Sequence, residues 1–391
     1  MTRICIDVRC LSEGRKTGVE EYTLKLLLNI FEADKKNEYI LFLSSWKKPI
    51  FDFSLFEKYS NVKIKKIKFP NKLLNFSFWY FNWPKIDWLV GGANVVFFPN
   101  IIFGAVSKSV KTIVTIHDLS FERYPHFFSF KRRLWHIFVN PKKICQKAEC
   151  IIAVSNSTAE DIGSLYGVDK EKIAVIHSAV SNNFSLVDRN AKRLIEIKEK
   201  YGLPFKFILY LGTIEPRKNI GGIIRAYDFL QISARKTKNL ELEKYKLVIA
   251  GSSGWLDKSI FQEINKSNFK ENIILPGFVE DADKVFVYNL ASLFVYPSFF
   301  EGFGFPPLEA MQCGVPVITS NNASLPEICG DAGILIDPDK PEEIGRAMEE
   351  VLTDKIFREK LIKKGIKRSA RFSWKKTANE VLKLFSQGKI C

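Results

Sequence analysis

Between Tyr296 and Asn322 the chain reads Tyr-Pro-Ser-Phe-Phe-Glu-Gly-Phe-Gly-Phe-Pro-Pro-Leu-Glu-Ala-Met-Gln-Cys-Gly-Val-Pro-Val-Ile-Thr-Ser-Asn-Asn, which sets Glu301 and Glu309 on either side of a Gly/Pro turn. Two carboxylates can exchange protons with a substrate or accept hydrogen bonds from sugar hydroxyls. The apolar run Leu293 to Tyr296 has the length of a buried strand and is stopped by Pro297-Ser298, so Glu301 is expected in a loop. Gly302 and Gly304 allow the backbone to approach a ligand closely, and Pro306 or Pro307 suits the first position of a helix. Glu309 is then expected in that helix's first turn, where free N–H groups and a partial positive charge could hold a diphosphate. Ordinary helix capping is the competing reading of Glu309. Cys313-Gly314 ends the helix, and Val315 to Thr319 reads as the next strand.

A second constellation lies in Phe207-Ile-Leu-Tyr-Leu-Gly-Thr-Ile-Glu-Pro-Arg-Lys-Asn219, a strand, a glycine turn at Gly212-Thr213 and a helix start. Arg217 and Lys218 leave that turn, and two adjacent cations can neutralise charge building on a departing diphosphate. Thr112 to Ile116 is a strand that delivers His117-Asp118 to its carboxyl end, where open α/β sheets place ligands. Asp281-Ala-Asp283 has the spacing of a metal-binding pair, but it follows the Gly277-Phe-Val279 turn at a helix start, where capping explains it. No other Asp-x-Asp is placed for a metal, so no metal and no cofactor are expected.

The 296–322 segment resembles the signature of glycosyltransferase family four, retaining enzymes of the two-Rossmann GT-B architecture. The Gly-Thr…Arg-Lys-Asn pattern, His117-Asp118 and the Gly14-to-Tyr22 loop after the first strand resemble it too. The resemblance implies that Glu301 faces the transferred sugar and that Glu309 binds the ribose of the donor. It implies Arg217 and Lys218 on the donor phosphates, His117 beside the sugar, and the Gly277–Val279 turn, including Val279, beside the base. Gly18, Gly212, Thr213, Gly302, Phe303, Gly304 and Phe305 are the further donor-binding positions it implies. The activity implied is retaining transfer of a hexose from a nucleotide diphosphate sugar to a saccharide hydroxyl by metal-independent front-face substitution. The Phe-Gly-Phe-Pro-Pro-Leu form of the loop looks like that of mannosyltransferases of O-antigen assembly, which points to mannose from GDP-mannose.

The elements that must position these residues alternate strand-like and amphipathic helix-like runs, the pattern of parallel α/β sheets. One set of about six strands runs from Ile4–Val8 to Ile173–Val175 and another from Phe207–Leu211 to Ile334–Ile336. At 391 residues, 46% hydrophobic, the chain can fill two cores. Two parallel sheets are therefore expected, and the resemblance implies that they belong to two Rossmann-like domains facing each other across a donor cleft. It implies that residues 1–190 bind acceptor and 191–372 the nucleotide sugar, and that residues 373–391 form a helix returning to the first domain. Seven scattered cysteines without CxxC spacing argue against a disulfide framework or zinc site. The opening Met1-Thr-Arg-Ile-Cys-Ile-Asp-Val8 reads as a strand rather than a secretory signal, so a cytoplasmic protein is expected, on the inner face of the membrane if it touches one.

Net charge is +16, of which +10 belongs to residues 1–190. Val62 to Lys72 carries five lysines and no acid, and Phe76-Ser-Phe-Trp-Tyr-Phe-Asn-Trp83 follows with six aromatics in eight residues. That composition fits either peripheral contact with an anionic membrane, and hence a lipid-linked acceptor, or a basic strand followed by a helix whose rings are core. Lys131-Arg-Arg133 and Lys142-Lys143 extend the cationic character. Nucleic acid is not an expected partner, because no nucleic-acid motif accompanies the charge. A synthase of the same fold acting on a small soluble sugar is the alternative.

Overall fold

The computed structural model describes residues 1–14, 18–252 and 258–386, apart from the side chains of Glu13, Lys258 and Ser259. Arg15, Lys16 and Thr17 of the first-loop expectation, and the end of the expected C-terminal segment with Cys391, lie outside the described residues. The chain divides into two compact units, Met1–Ala179 with the segment from Ser373 onward, and Val180–Phe372.

The first unit holds a sheet of β1 (Arg3–Asp7), β2 (Glu38–Ser44), β3 (Val62–Ile67), β4 (Val95–Phe98), β5 (Lys111–Ile116), β6 (Cys150–Ala153) and β7 (Ile173–Val175). Their order is β3-β2-β1-β4-β5-β6-β7, every neighbour parallel. All four residues of β4 and of β6 are buried, as expected of strands covered by helices on both faces. Seven strands replace the expected six because the lysine-rich run is β3, at the sheet edge. Its Lys63, Lys65 and Lys66 point to solvent, a charge pattern that blunts pairing with another chain. Helices α1 (Gly18–Ala33), α2 (Asn71–Tyr80) and α3 (Phe130–Val139) belong to this unit. So does the C-terminal helix Trp374–Ser386, which docks through Trp374 on the Tyr22 ring and through Thr377 Oγ1 donating to the His177 carbonyl.

The second unit contains β8 (Phe207–Leu211), β9 (Lys246–Ala250), β10 (Ile273–Gly277), β11 (Leu293–Tyr296), β12 (Val317–Ser320) and β13 (Ile334–Ile336). Their order, β10-β9-β8-β11-β12-β13, is again wholly parallel. Helices α4 (Lys192–Lys200), α5 (Ile220–Lys236), α6 (Asp281–Leu290) and α7 (Phe305–Gln312) pack around it. Both orders reverse direction after their first strand, β1 beside β4 and β8 beside β11. At such a reversal the loops leaving the carboxyl ends diverge and open a crevice.

Two expectations are corrected here. Asp283 does not cap α6: it is buried and accepts from Arg193 (3.0 Å), Lys200 (2.7 Å) and the Tyr201 hydroxyl (2.9 Å), so it ties α4 and Tyr201 to α6. The N-cap position is Glu280, without a side-chain cap. Cys150 is disulfide-bonded, although the scattered cysteines argue against a disulfide framework, whereas Cys5, Cys10, Cys145, Cys313 and Cys329 are free.

Candidate active site

The loops after β8 and β11 meet at the reversal point of the second sheet. After β8, the Gly212 N–H donates to Ala250 O, and Gly251 passes so close that a Cβ there would lie 1.8 Å from the Gly212 carbonyl. Only glycine fits, and its φ of 148° is one that side-chain-bearing residues rarely adopt. The chain then makes a single 3-10 turn, Pro216–Lys218, and Asn219 takes a left-handed conformation to cap α5 through Gly222 N. Asn219 also donates to the Pro338 carbonyl at 2.6 Å, which fixes where the Arg-Lys pair points.

Lys218 is buried, and its Nζ donates to Glu301 Oε1 at 2.5 Å and to the Tyr296 hydroxyl at 2.6 Å. Arg217 donates to Glu215 Oε1 (3.0 Å) and to the Phe300 carbonyl (2.9 Å) and lies 3.6 Å from Glu301 Oε2. Two cations thus stand against two buried carboxylates. Burial by itself raises the Glu301 carboxyl, but Lys218 and Arg217 outweigh it and bring it down to about 2. Burial and the neighbouring Arg217 lower the Lys218 ammonium, opposed by the two glutamates.

The Glu301 loop is stitched by hydroxyls. Ser298 Oγ donates to the carbonyls of Arg217 (3.1 Å) and Phe300 (3.2 Å), and Ser324 Oγ to those of Glu301 (2.9 Å) and Phe303 (2.7 Å). Gly302, Phe303 and Gly304 are buried within it, and the Phe303 ring meets Phe305 edge-on at 5.2 Å. Gly304, at φ 108°, is the N-cap of α7, so the helix starts at Phe305 with Pro306 and Pro307 in its second and third places. Glu309 consequently lies beyond the first turn, a correction to the expected position. The first turn holds no acid, and the prolines remove two of its four N–H donors. Glu309 is buried one turn deeper and accepts from the Tyr288 hydroxyl at 2.8 Å. At the helix's other end Gly314 is left-handed and Val315 N bonds back to Ala310 O, which delays β12 to Val317.

Gly212, Thr213, Arg217, Lys218, Glu301 and Gly302 to Phe305 are therefore brought together by two adjacent strand ends. Val279 follows β10, the edge strand two places from β8, and its side chain is buried. No motif in the sequence singles out Glu215, Tyr296 or Tyr288. Glu215 could have been found as the one acid beside the Arg-Lys pair, whereas Tyr288 meets Glu309 only through the fold.

His117 and Gly18 form a second constellation in the first unit. His117 leaves β5, and its Nε2 donates to the Pro99 carbonyl (2.9 Å) in the loop after β4, so Nδ1 is the acceptor nitrogen. Tyr22 of α1 stands edge-on to the ring at 4.7 Å. Burial lowers the His117 pKa, opposed by the carbonyl and Asp118, which favours the neutral imidazole. Gly18 is exposed at the first position of α1. Among the described residues no group of three or more His, Cys, Asp or Glu could hold a metal ion.

Two Rossmann-like parallel units, with cations and carboxylates at one reversal point, define the GT-B class of fold. Residues 194–368 match the family described as glycosyl transferases group 1, and residues 18–184 match glycosyltransferase family 4. The chain is 33% identical over 276 residues to the O-antigen chain mannosyltransferase B of Escherichia coli, with 70% of each chain covered. It therefore belongs to this glycosyltransferase family. It is also 35% identical over 286 residues to the serotype-specific mannosyltransferase WbdA of Escherichia coli, covering 71% of this chain but 33% of that protein. The match thus spans about a third of WbdA's length. Among solved structures, Anabaena Alr3699/HepE in complex with UDP and glucose has a TM-score of 0.71 at 15% identity, covering 99% of this chain and 100% of that one.

Proposed function

We propose that this chain is a retaining glycosyltransferase that moves mannose from GDP-mannose to a hydroxyl of a lipid-linked saccharide at the cytoplasmic face of a membrane. The observation that carries the reading is the Arg217–Lys218–Glu301 cluster at the strand reversal of the second unit. When the sugar–phosphate bond breaks, negative charge grows on the departing diphosphate. Preplaced donors in a dry site stabilise that charge without reorganising. Arg217 and Lys218 supply those donors, so the leaving group needs no metal to carry its charge. Glu301 accepts from sugar hydroxyls, His117 holds the sugar through its neutral ring, and Glu309 takes the ribose.

The acceptor hydroxyl attacks from the face the nucleotide leaves. Its oxygen bonds to the anomeric carbon as the carbon–phosphate-oxygen bond breaks, and the departing phosphate oxygen takes its proton. Neither glutamate shuttles a proton, which suits a Glu301 held ionised. The protein's contribution is position and charge. Relatives named as mannosyltransferases and a fold neighbour solved with UDP and glucose support the donor class.

A panel of nucleotide sugars tested for protection against thermal unfolding ranks the donors, GDP-mannose being expected first. The product's anomeric configuration, read by NMR, must match that of the donor, and inversion would overturn the front-face route. Turnover should persist in excess EDTA.

A further inference from the structure

We propose that Tyr296 is a positioning residue, the fixed donor that keeps Glu301 in place when Lys218 turns from it to an anionic ligand. Tyr296 is the last residue of β11, and its side chain is buried. Its hydroxyl accepts from Lys218 Nζ at 2.6 Å and donates to Glu301 Oε1 at 3.1 Å, while Lys218 reaches the same Oε1 at 2.5 Å. The three polar groups therefore close a triangle. Burial, with Glu301 alongside, raises the Tyr296 hydroxyl well above its ordinary value, so it keeps the proton it donates.

The corners of the triangle differ in their freedom to move. Lys218 ends a flexible aliphatic stem and leaves a single 3-10 turn. Tyr296 is stiffer, and its ring is held in a buried row. Tyr210 of β8 stacks on it at 5.8 Å and 10°, and Phe294, on the same face of β11, at 5.9 Å and 17°. Tyr288 of α6 closes the row against Phe294 at 5.4 Å. Each tyrosine of the row aims its hydroxyl at a part of the candidate site: Tyr288 at Glu309 (2.8 Å), Tyr296 at Glu301, and Tyr210 at the Thr213 carbonyl (2.8 Å). Of these it is Tyr296 that also meets a cation.

The consequence rests on the reading that Arg217 and Lys218 meet a diphosphate. An anion arriving there draws both cations away from Glu301, which is buried and ionised, and an uncompensated buried charge is strongly destabilising. Ser298 also lies within hydrogen-bond reach of Glu301, but its hydroxyl is directed to the carbonyls of Arg217 and Phe300. Tyr296 is neutral and locked by its neighbours, so it does not follow the anion. Glu301 then keeps one oxygen on the phenol and presents the other to a sugar hydroxyl, in the orientation it already has before a ligand arrives.

Urea unfolding of Tyr296→Phe, Lys218→Met and the double variant imitates the departure of the lysine without any ligand. Removing the hydroxyl should lower the folding equilibrium constant at least about tenfold more in the Lys218→Met background than in wild type, where Lys218 still holds Glu301. Additive losses overturn the role, because a tyrosine that merely fills space would cost the same in both. Calorimetric binding of GDP and of GDP-mannose, without acceptor, reads the ligand side and needs only single variants. Tyr296→Phe should weaken GDP by about tenfold or more and GDP-mannose by no more than about threefold, since a hexose hydroxyl takes the phenol's place on Glu301. Tyr288→Phe should weaken both ligands alike, because the ribose assigned to Glu309 is common to them. Equal losses in Tyr296→Phe overturn the role even if Lys218→Met is too unstable to measure. Wild-type protein that binds neither ligand removes the transferase reading, and the unfolding cycle then decides the role of Tyr296 by itself.

Discussion

The two units share one strand order and put it to opposite use. At its reversal point the second unit buries its charge: Lys218, Glu215 and Glu301 are all shielded from water, and each cation there faces a carboxylate. The first unit does the reverse at the carboxyl ends of β3 and β5, exposing rings and cations on α2 and α3. A parallel sheet fixes where loops emerge but not what they carry. Compact charged chemistry needs desolvated, preset partners, while a broad apolar surface needs only a rigid scaffold beneath it.

The most severe way to break the comparison is to unbalance the buried cluster. Glu301→Gln leaves Lys218 buried beside Arg217 with one carboxylate fewer, and should cost about 3–5 kcal/mol of the second unit's stability in urea unfolding. Adding Lys218→Met should recover part of that loss; no recovery would mean the pair is not what the mutation unbalanced. The Phe78→Ala change, on the inner side of α2, should cost about 3–5 kcal/mol in the first unit, whereas Trp79→Ser one residue on should stay within about 0.5 kcal/mol. Equal costs would show that the helix's two faces are not as different as their burial. Lys218→Ala should lower kcat by about a hundred- to a thousandfold, roughly 3–4 kcal/mol of transition-state stabilisation, with near wild-type turnover removing its assigned role. Tyr288→Phe leaves Glu309 without its 2.8 Å donor and should cost about 1–3 kcal/mol.

The acid limb gives a further contrast. Glu301 titrates near 2 in the fold against an ordinary 4.5, so its stabilisation is complete above pH 4.5 and drains away as pH falls toward 2. The pH dependence of unfolding should therefore be steeper in wild type than in Glu301→Gln over that window.

Strands were the most legible part of this fold. Val95–Phe98, Phe207–Leu211, Leu293–Tyr296 and Ile334–Ile336 are continuous apolar runs bounded by turn residues, and the structure keeps those bounds. The union of Arg217, Lys218 and Glu301 could be approached because each sits at a strand's carboxyl end. What sequence could not give was partner choice. Tyr288 reaches Glu309, and Arg193 reaches Asp283, across distances set only by packing. Glu309 was misplaced because two consecutive prolines fit the second and third helical positions as well as the first, and only the left-handed Gly304 decides between them. Composition left Phe76 to Trp83 open between core and surface, and the inward anchoring of Phe78 by Arg9 resolves it ring by ring.

Mutual neutralisation of Arg217 and Lys218 by Glu215 and Glu301 bears on competition among solutes. An isolated basic pocket would trap inorganic phosphate, free nucleotides and polyanions, all abundant in a cell. Here an incoming anion that takes Lys218 strips Glu301 of its nearest partner, a penalty repaid by a ligand that also brings a hexose hydroxyl to Glu301. A nucleotide sugar brings both halves; the spent nucleoside diphosphate brings one. The ion pair would thus act as a filter on entry and a spring on exit, and donor, nucleoside diphosphate and phosphate should bind in that descending order.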